Sequence, residues 1–215
     1  MKKALILFGG WPGHQPAECA ELFTRELSRR GFSVAASDSL APLDDPDYLQ
    51  ACSLIVPLWT MGTIAETQEK NLVAAVQSGV GLGGFHGGMG DAFRGSLAYQ
   101  WMVGGQFVSH PDNVKDYTVH ITDRSDPIMQ GLADFTVHTE QYYMLVDPLN
   151  HVLATSVIQS ATAPWANGTT LPVIWKKHHG RGRVFYSALG HQAAEFTQCP
   201  PQLEITLRGM QWAAR

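Results

Sequence analysis

Cysteine is scarce. The 215 residues hold three, Cys19, Cys52 and Cys199, odd in number, far apart and in no CxxC or CxxxC pair. That predicts neither a disulfide framework nor a thiolate zinc site, and it fits a reducing cytoplasm. Basic runs are also lacking: fifteen Lys+Arg stand against nineteen Asp+Glu, a formal net charge of -4. No stretch offers the phosphate-tracking stripe of a nucleic-acid binder. Long apolar runs are missing too. After Met1-Lys2-Lys3 the first spans only 4–8, too brief for a membrane span or a signal-peptide core. With no internal repeat, low-complexity tract or dividing linker, one domain over 1–215 is expected, without nucleic-acid or membrane partners.

What is present suffices for a core. The chain is 45% hydrophobic and 10% aromatic, enough to fold without a disulfide or a structural metal. Apolar runs at 3–8, 33–37, 52–59 and 80–85 read as strands, the first ending in Gly9-Gly10. Between them lie helical patterns. Pro16 opens one that carries Cys19, Leu22, Phe23 and Leu27 at helical spacing and closes at Gly31. Thr63 and Glu66 have the spacing of a capping box before Leu72, Val73 and Val76. A further helix is expected to bear Phe93, Leu97 and Trp101.

The texture then changes to alternating strands, with Tyr117, Val119 and Ile121 on one face. Runs at 173–177 and 184–189 flank a glycine-bearing hairpin turn that leaves His178 and His179 solvated, and 159–170 reads as a surface loop. A last helix from about Pro201 buries Leu203, Leu207 and Met210. The whole predicts an α/β fold: a mostly parallel sheet with helices on both faces and an added antiparallel hairpin region, with ligands at the carboxyl edge of the strands.

The sharpest local signal is Gly84-Phe85-His86-Gly87-Gly88, between a buried strand and a helix. It has the shape of a nucleophile elbow, where flanking glycines let a strained central residue project at the sheet edge. Here that residue is His86, which could instead simply bond the backbone. Gly104-Gly105-Gln106-Phe107 leads to His110, held extended by Pro111. Strand alternation over 135–145 places His138 and Glu140 on one face, a carboxylate beside an imidazole. His191 follows Gly190 at another strand end, and His14 lies in the first loop. Trp59 could wall the site or pack in the core, and Tyr142 could stack on a ligand. Of His138 and Glu140, Glu140 is the stronger candidate, since His138 could equally be a surface residue, as His120 and His151 read.

Those motifs, with Gly180-Arg181-Gly182-Arg183-Val184-Phe185-Tyr186 and Leu189-Gly190-His191, resemble the ThuA (trehalose utilization) family over nearly the whole chain. The resemblance implies a flavodoxin-like sheet similar to class I glutamine amidotransferases, with His86 and His191 at the elbow and late-strand positions. It also implies a role in catabolism of trehalose and related sugars. One departure matters: an imidazole at the elbow cannot form the thioester of a glutaminase, and none of the three cysteines occupies the elbow. Fold likeness therefore does not carry that activity over.

Two chemistries fit these residues. In one, His86, His110, Glu140 and His191 bind a divalent metal such as Zn or Mn and leave a position for a substrate oxygen. In the other, His86, Glu140 and His191 act directly as acid and base on a sugar or keto-sugar, whose ketone acidifies the neighbouring C–H. His14, Trp59, His110 and Tyr142 would hold the substrate in either. No nucleotide cofactor is expected, and a homo-oligomer is allowed. A non-catalytic sugar-binding or regulatory protein is the competing class, but it has little use for converging imidazoles and a carboxylate.

Overall fold

The computed structural model describes residues 1–215. Its first half alternates strand and helix as expected: β1 (Lys2–Gly10), α1 (Pro16–Arg29), β2 (Phe32–Ser37), α2 (Pro46–Gln50), β3 (Leu54–Thr60), α3 (Glu66–Gln77), β4 (Gly81–Phe85) and a short α4 (His86–Gly90). After α5 (Leu97–Val103) come β5 (Gly105–Ser109), β6 (Val114–Ile121), β7 (Phe135–Glu140), β8 (Tyr143–Val146), β9 (His151–Val157), β10 (Thr170–His179) and β11 (Gly182–Ser187). Two helices, α6 (Ala193–Gln198) and α7 (Pro200–Ala213), finish the chain.

Nine strands form one sheet in the order β2-β1-β3-β4-β11-β10-β9-β6-β7. The first five are mutually parallel and the rest join antiparallel, while β5 and β8 make a separate antiparallel pair. The parallel half is the flavodoxin-like part. Its central strands are buried on both faces, as β1 and β3 show by their unbroken runs Ala4-Leu5-Ile6-Leu7 and Leu54-Ile55-Val56-Pro57-Leu58. Helices α1, α6 and α7 pack together, as α2, α3 and α5 do, the two layers expected around a doubly covered sheet. Parallel pairing brings the carboxyl ends of β1, β3, β4 and β11 to one edge, where Phe8 registers with Leu58 and Ser187 with Phe85.

The antiparallel half reaches that edge by another route. β6 is held to β9 through only two pairs, His120 with Thr155 and Ile121 with Ala154, so most of the β6–β7 ribbon leaves the sheet. Its inner face buries Tyr117, Val119 and Val137. Its free end, where Val114 pairs with Glu140, carries Glu140 back to the strand ends of the parallel half.

Several expectations need correcting. The helix expected from Thr63 begins at Glu66 with Ala65 as its cap, and it is Gln68 Oε1 that accepts from the Ala65 N–H, at 3.3 Å. Thr63 lies two residues before that cap and takes no part in it. Phe93 is buried but lies before α5, and α5 buries Tyr99, Met102 and Val103 while exposing Leu97 and Trp101. Leu203 is half-buried on α7. His179 is buried, not solvated, because β10 extends to it and the Trp101 ring covers it edge-on at 5.6 Å. His138 and Glu140 do not share an environment: His138 is exposed and bonds Asp116 at 2.8 Å, while Glu140 is buried at the strand end.

Candidate functional site

At the elbow, α4 opens on His86 with φ +45°, a left-handed backbone that costs a side-chain-bearing residue on the order of 1 kcal/mol or more. The surroundings hold it there. Tyr186 donates its hydroxyl to the His86 carbonyl at 3.1 Å. The next residue must be glycine, since a Cβ on Gly87 would lie 2.3 Å from His14 Cε1. The imidazole itself is fully buried and donates Nδ1–H to the Ala188 carbonyl at 2.9 Å. A carbonyl only accepts, so this bond assigns the proton to Nδ1 and leaves Nε2 with a bare lone pair.

That lone pair points at Glu140. The Oε2 atom of Glu140 lies 3.2 Å from His86 Nε2, 3.3 Å from His191 Nδ1 and 3.8 Å from His14 Nε2, and Oε1 lies 3.8 Å from His110 Nδ1. His191 Nδ1 and His110 Nδ1 are buried atoms without a hydrogen-bond partner. His14 Nδ1 meets the Thr60 hydroxyl at 2.7 Å, which, where that hydroxyl accepts, leaves His14 Nε2 as another lone pair facing inward. Tyr142 stacks on His86 with ring centres 4.1 Å apart. Glu195 holds the His191 loop by accepting from its backbone N–H at 3.0 Å.

Electrostatics separates these groups. Burial pushes His86 down to about 4, despite the opposing pull of Glu140, so this imidazole is neutral at neutral pH. Burial would raise Glu140, but the imidazoles of His14, His191 and His86 outweigh it and hold the carboxyl well below its usual range. His191 is also disfavoured by burial as a cation, yet the Glu140 carboxylate prevails and raises it above 6.5. A neutral His86 Nε2 and an ionised Glu140 oxygen at hydrogen-bond distance are two acceptors facing each other. Such an arrangement is stable only with a proton or a cation between them.

The donor set fits a cation. His14, His86, Glu140 and His191 each present one ligand atom, all within 4.8 Å of one another, and three imidazoles with a carboxylate suit zinc or a similar divalent ion. Outer acceptors that orient ligating imidazoles are present as well, in Ala188 O and Thr60 Oγ1.

Of the residues singled out in the sequence, His86, Glu140, His191, His110, His14 and Tyr142 come together. His14 lies among the four potential ligands, whereas His110 faces the other carboxylate oxygen at the mouth, with 35% of its side chain exposed. Trp59 does not join them: its ring packs against Gly9 and Gly62, and strand alternation puts it on the face opposite Thr60. The aromatic that does overlie the cluster is Trp11, edge-on to His14 at 4.8 Å and 6.5 Å from His191. It is 43% exposed and folds so closely over Gly13 that a Cβ there would fall 2.3 Å from the ring. An aromatic in the same strand-end loop as His14 was the available signal for it. Cys19 lies beneath, its thiol donating to His14 O at 3.6 Å and pushed up to about 12 by burial.

Comparison with known proteins agrees with this architecture. The family model for ThuA, trehalose utilisation, matches residues 3–213. No curated protein sequence matches the chain. Among solved structures, a ThuA-like protein of Bacteroides uniformis ATCC 8492 is similar at TM-score 0.80 and 18% identity, covering 99% of this chain and 91% of that one. A ThuA-like protein of Parabacteroides merdae ATCC 43184 is similar at TM-score 0.80 and 18% identity, covering 99% and 89%. A cytoplasmic protein of Salmonella typhimurium LT2 aligns at TM-score 0.69 and 12% identity over the whole of both chains. At these identities the likeness is one of fold. The match over 3–213 places the chain in the ThuA family, trehalose utilisation, and that membership supports a role in sugar utilisation.

Proposed function

We propose that this chain is a cytoplasmic enzyme of carbohydrate utilisation, acting on a disaccharide, glycoside or keto-sugar at the Glu140 cluster with a divalent metal ion. One observation carries the reading: imidazole nitrogens of His14, His86 and His191 converge on a single carboxylate oxygen, and the His86 nitrogen among them bears no proton. His14, His86, Glu140 and His191 would hold the ion. When bound, such an ion supplies a Lewis acid for a carbonyl or hydroxyl oxygen.

The chain's own residues do the rest. Tyr142 and the Ala188 carbonyl fix the plane and tautomer of His86. His110, outside the four ligands and open to solvent, is placed to take or return a proton at a carbon beside a substrate carbonyl. Trp11 offers an aromatic face at the mouth, the surface on which the C–H face of a sugar ring stacks. Glutamine hydrolysis is not part of the proposal, because the elbow bears an imidazole and the nearby Cys19 thiol stays protonated at neutral pH.

The test is metal analysis of the purified protein together with a panel of oxidised and unoxidised disaccharides, with and without added divalent cations. We expect about one metal ion per chain and conversion of at least one keto-sugar or glycoside that depends on it. Absence of stoichiometric metal, with no effect of added cations, would remove the metal from the proposal. Conversion at the parent rate by both His86→Asn and Glu140→Gln variants would remove the catalytic assignment altogether.

A further inference from the structure

The imidazoles around Glu140 are not all held in the same way. His86 is oriented by its bond to the Ala188 carbonyl and His14 by its bond to the Thr60 hydroxyl. His191 has no such bond: its Nδ1 faces Glu140 as a buried atom without a hydrogen-bond partner. Where its ring lies is therefore set by where its backbone is fixed.

That backbone is fixed at the start of α6. Glu195 accepts from the His191 N–H at 3.0 Å. Two residues on, the Ala193 N–H is one of the donors that a helix leaves unanswered in its first turn. Gln15 Oε1 accepts from it at 3.2 Å. Gln15 directly follows His14, so this bond ties the loop of one potential ligand to the loop of another. It is the only hydrogen bond between residues 11–15 and 188–193. The His14 and His191 rings meet edge to face with centres 4.9 Å apart.

Gln15 is costly where it stands. Its φ of +48° and ψ of +54° are left-handed, and it precedes Pro16, before which extended backbone is favoured. Glycine or asparagine suits that conformation better. Although Gln15 is the N-cap of α1, its side chain makes no capping bond there, and its carboxamide bonds only to α6. Docking of α6 does not depend on that bond. The rings of Phe23 on α1, Phe85 on β4 and Phe196 on α6 are buried together, with centres 4.7 to 4.9 Å apart, and hold the two helices.

We propose that Gln15 is a positioning residue: its carboxamide oxygen fixes the start of α6, and with it His191, at the distance from His14 that lets both imidazoles serve one ion. The inference rests on the metal reading above and adds to it the residue that sets the spacing of two ligands.

Competition for zinc against a chromophoric chelator, run beside thermal melting, tests it. Gln15→Asn keeps a carboxamide and tolerates the left-handed backbone, but it is one methylene too short to reach Ala193. Its zinc affinity should fall about tenfold, the scale on which losing an outer partner acts, while the melting temperature holds or rises. Gln15→Glu keeps the length and an acceptor suited to a helix N-terminus, and its zinc affinity should stay at the level of the parent. If Gln15→Asn binds zinc as tightly as the parent, or Gln15→Glu is as weak as Gln15→Asn, the positioning role falls while the metal reading stands. If zinc affinity and melting temperature fall together in Gln15→Asn, the bond serves the fold, and the positioning role is likewise overturned. If the parent itself takes up no zinc, the metal reading and the positioning role fall together.

Discussion

Two clusters of imidazole and carboxylate occupy this molecule, and only one is left incomplete by its own side chains. Asp123, Asp126 and His151 bring their ligand atoms as close together as His14, His86, Glu140 and His191 do. In the first cluster every oxygen is answered. Asp123 Oδ1 accepts from Ser125 N, Ser125 Oγ and Asp126 N, and its Oδ2 pairs with His151 Nε2 at 2.9 Å. Asp126 accepts from Ile128 N at 3.0 Å and forms an ion pair with Lys176. A cation there would have to displace an ammonium group already in place. Around Glu140 there is no lysine, no arginine and no backbone donor, only imidazole nitrogens. What distinguishes a site from a structural cluster is thus the set of lone pairs left unanswered, and proximity alone does not decide it.

Glu140→Gln is the sharpest way to break that contrast. Metal content should fall from stoichiometric to background by elemental analysis, and turnover should fall by roughly 10²–10⁴-fold. In the parent, loading should be complete above the raised pKa of His191 and should fade as pH falls through it, because a proton on His191 competes with the ion. A metal content indifferent to Glu140 would place the ion elsewhere.

Asp126→Ala probes the complete cluster and should do the reverse. It strands the Lys176 ammonium, whose side chain is 14% exposed, and should cost about 3 kcal/mol in a urea titration while leaving metal content unchanged. Loss of metal with Asp126 would reverse the comparison.

The same difference explains what could be read from the chain. The parallel half was legible because local rules govern it: apolar runs for β1, β3 and β4, Pro16 and Gly31 bounding α1, and glycines around His86. His86 and His191 were legible for the same reason, as each follows a strand in this half. Glu140 was recognised as a site residue, but not why it is buried while His138 two positions earlier is not. That depends on the ribbon leaving the sheet after two pairs with β9, a long-range event with no local signature.

Of the two places the sequence leaves open for Trp59, alternation along β3 selects packing away from the site, because it sends Thr60 inward; Trp11 carries no periodic signal, since it stands in a loop. The seven residues of α5 span too few turns for their periodicity to show that Leu97 and Trp101 face solvent. His179 was misread because the hairpin turn is tight, leaving only Gly180 and Arg181 beyond the paired strands.

Thr60→Val gives the smallest and most discriminating effect. The substitution keeps the volume and the β-branched shape suited to β3 but removes the only side-chain partner of His14 Nδ1. If Thr60 is an outer-shell acceptor, the His14 ring loses the bond that sets its tautomer and orientation, and metal affinity should weaken about 10–100-fold. With all four ligands present, turnover should recover at high metal concentration. If Thr60 serves packing alone, valine should leave the metal titration unmoved and change only the melting temperature. If the cluster works without metal, added zinc or manganese should change nothing in either the parent or Thr60→Val. A right-shifted metal titration with unaltered saturating rate is therefore the outcome that assigns Thr60 to the outer shell, and with it His14 to the inner one.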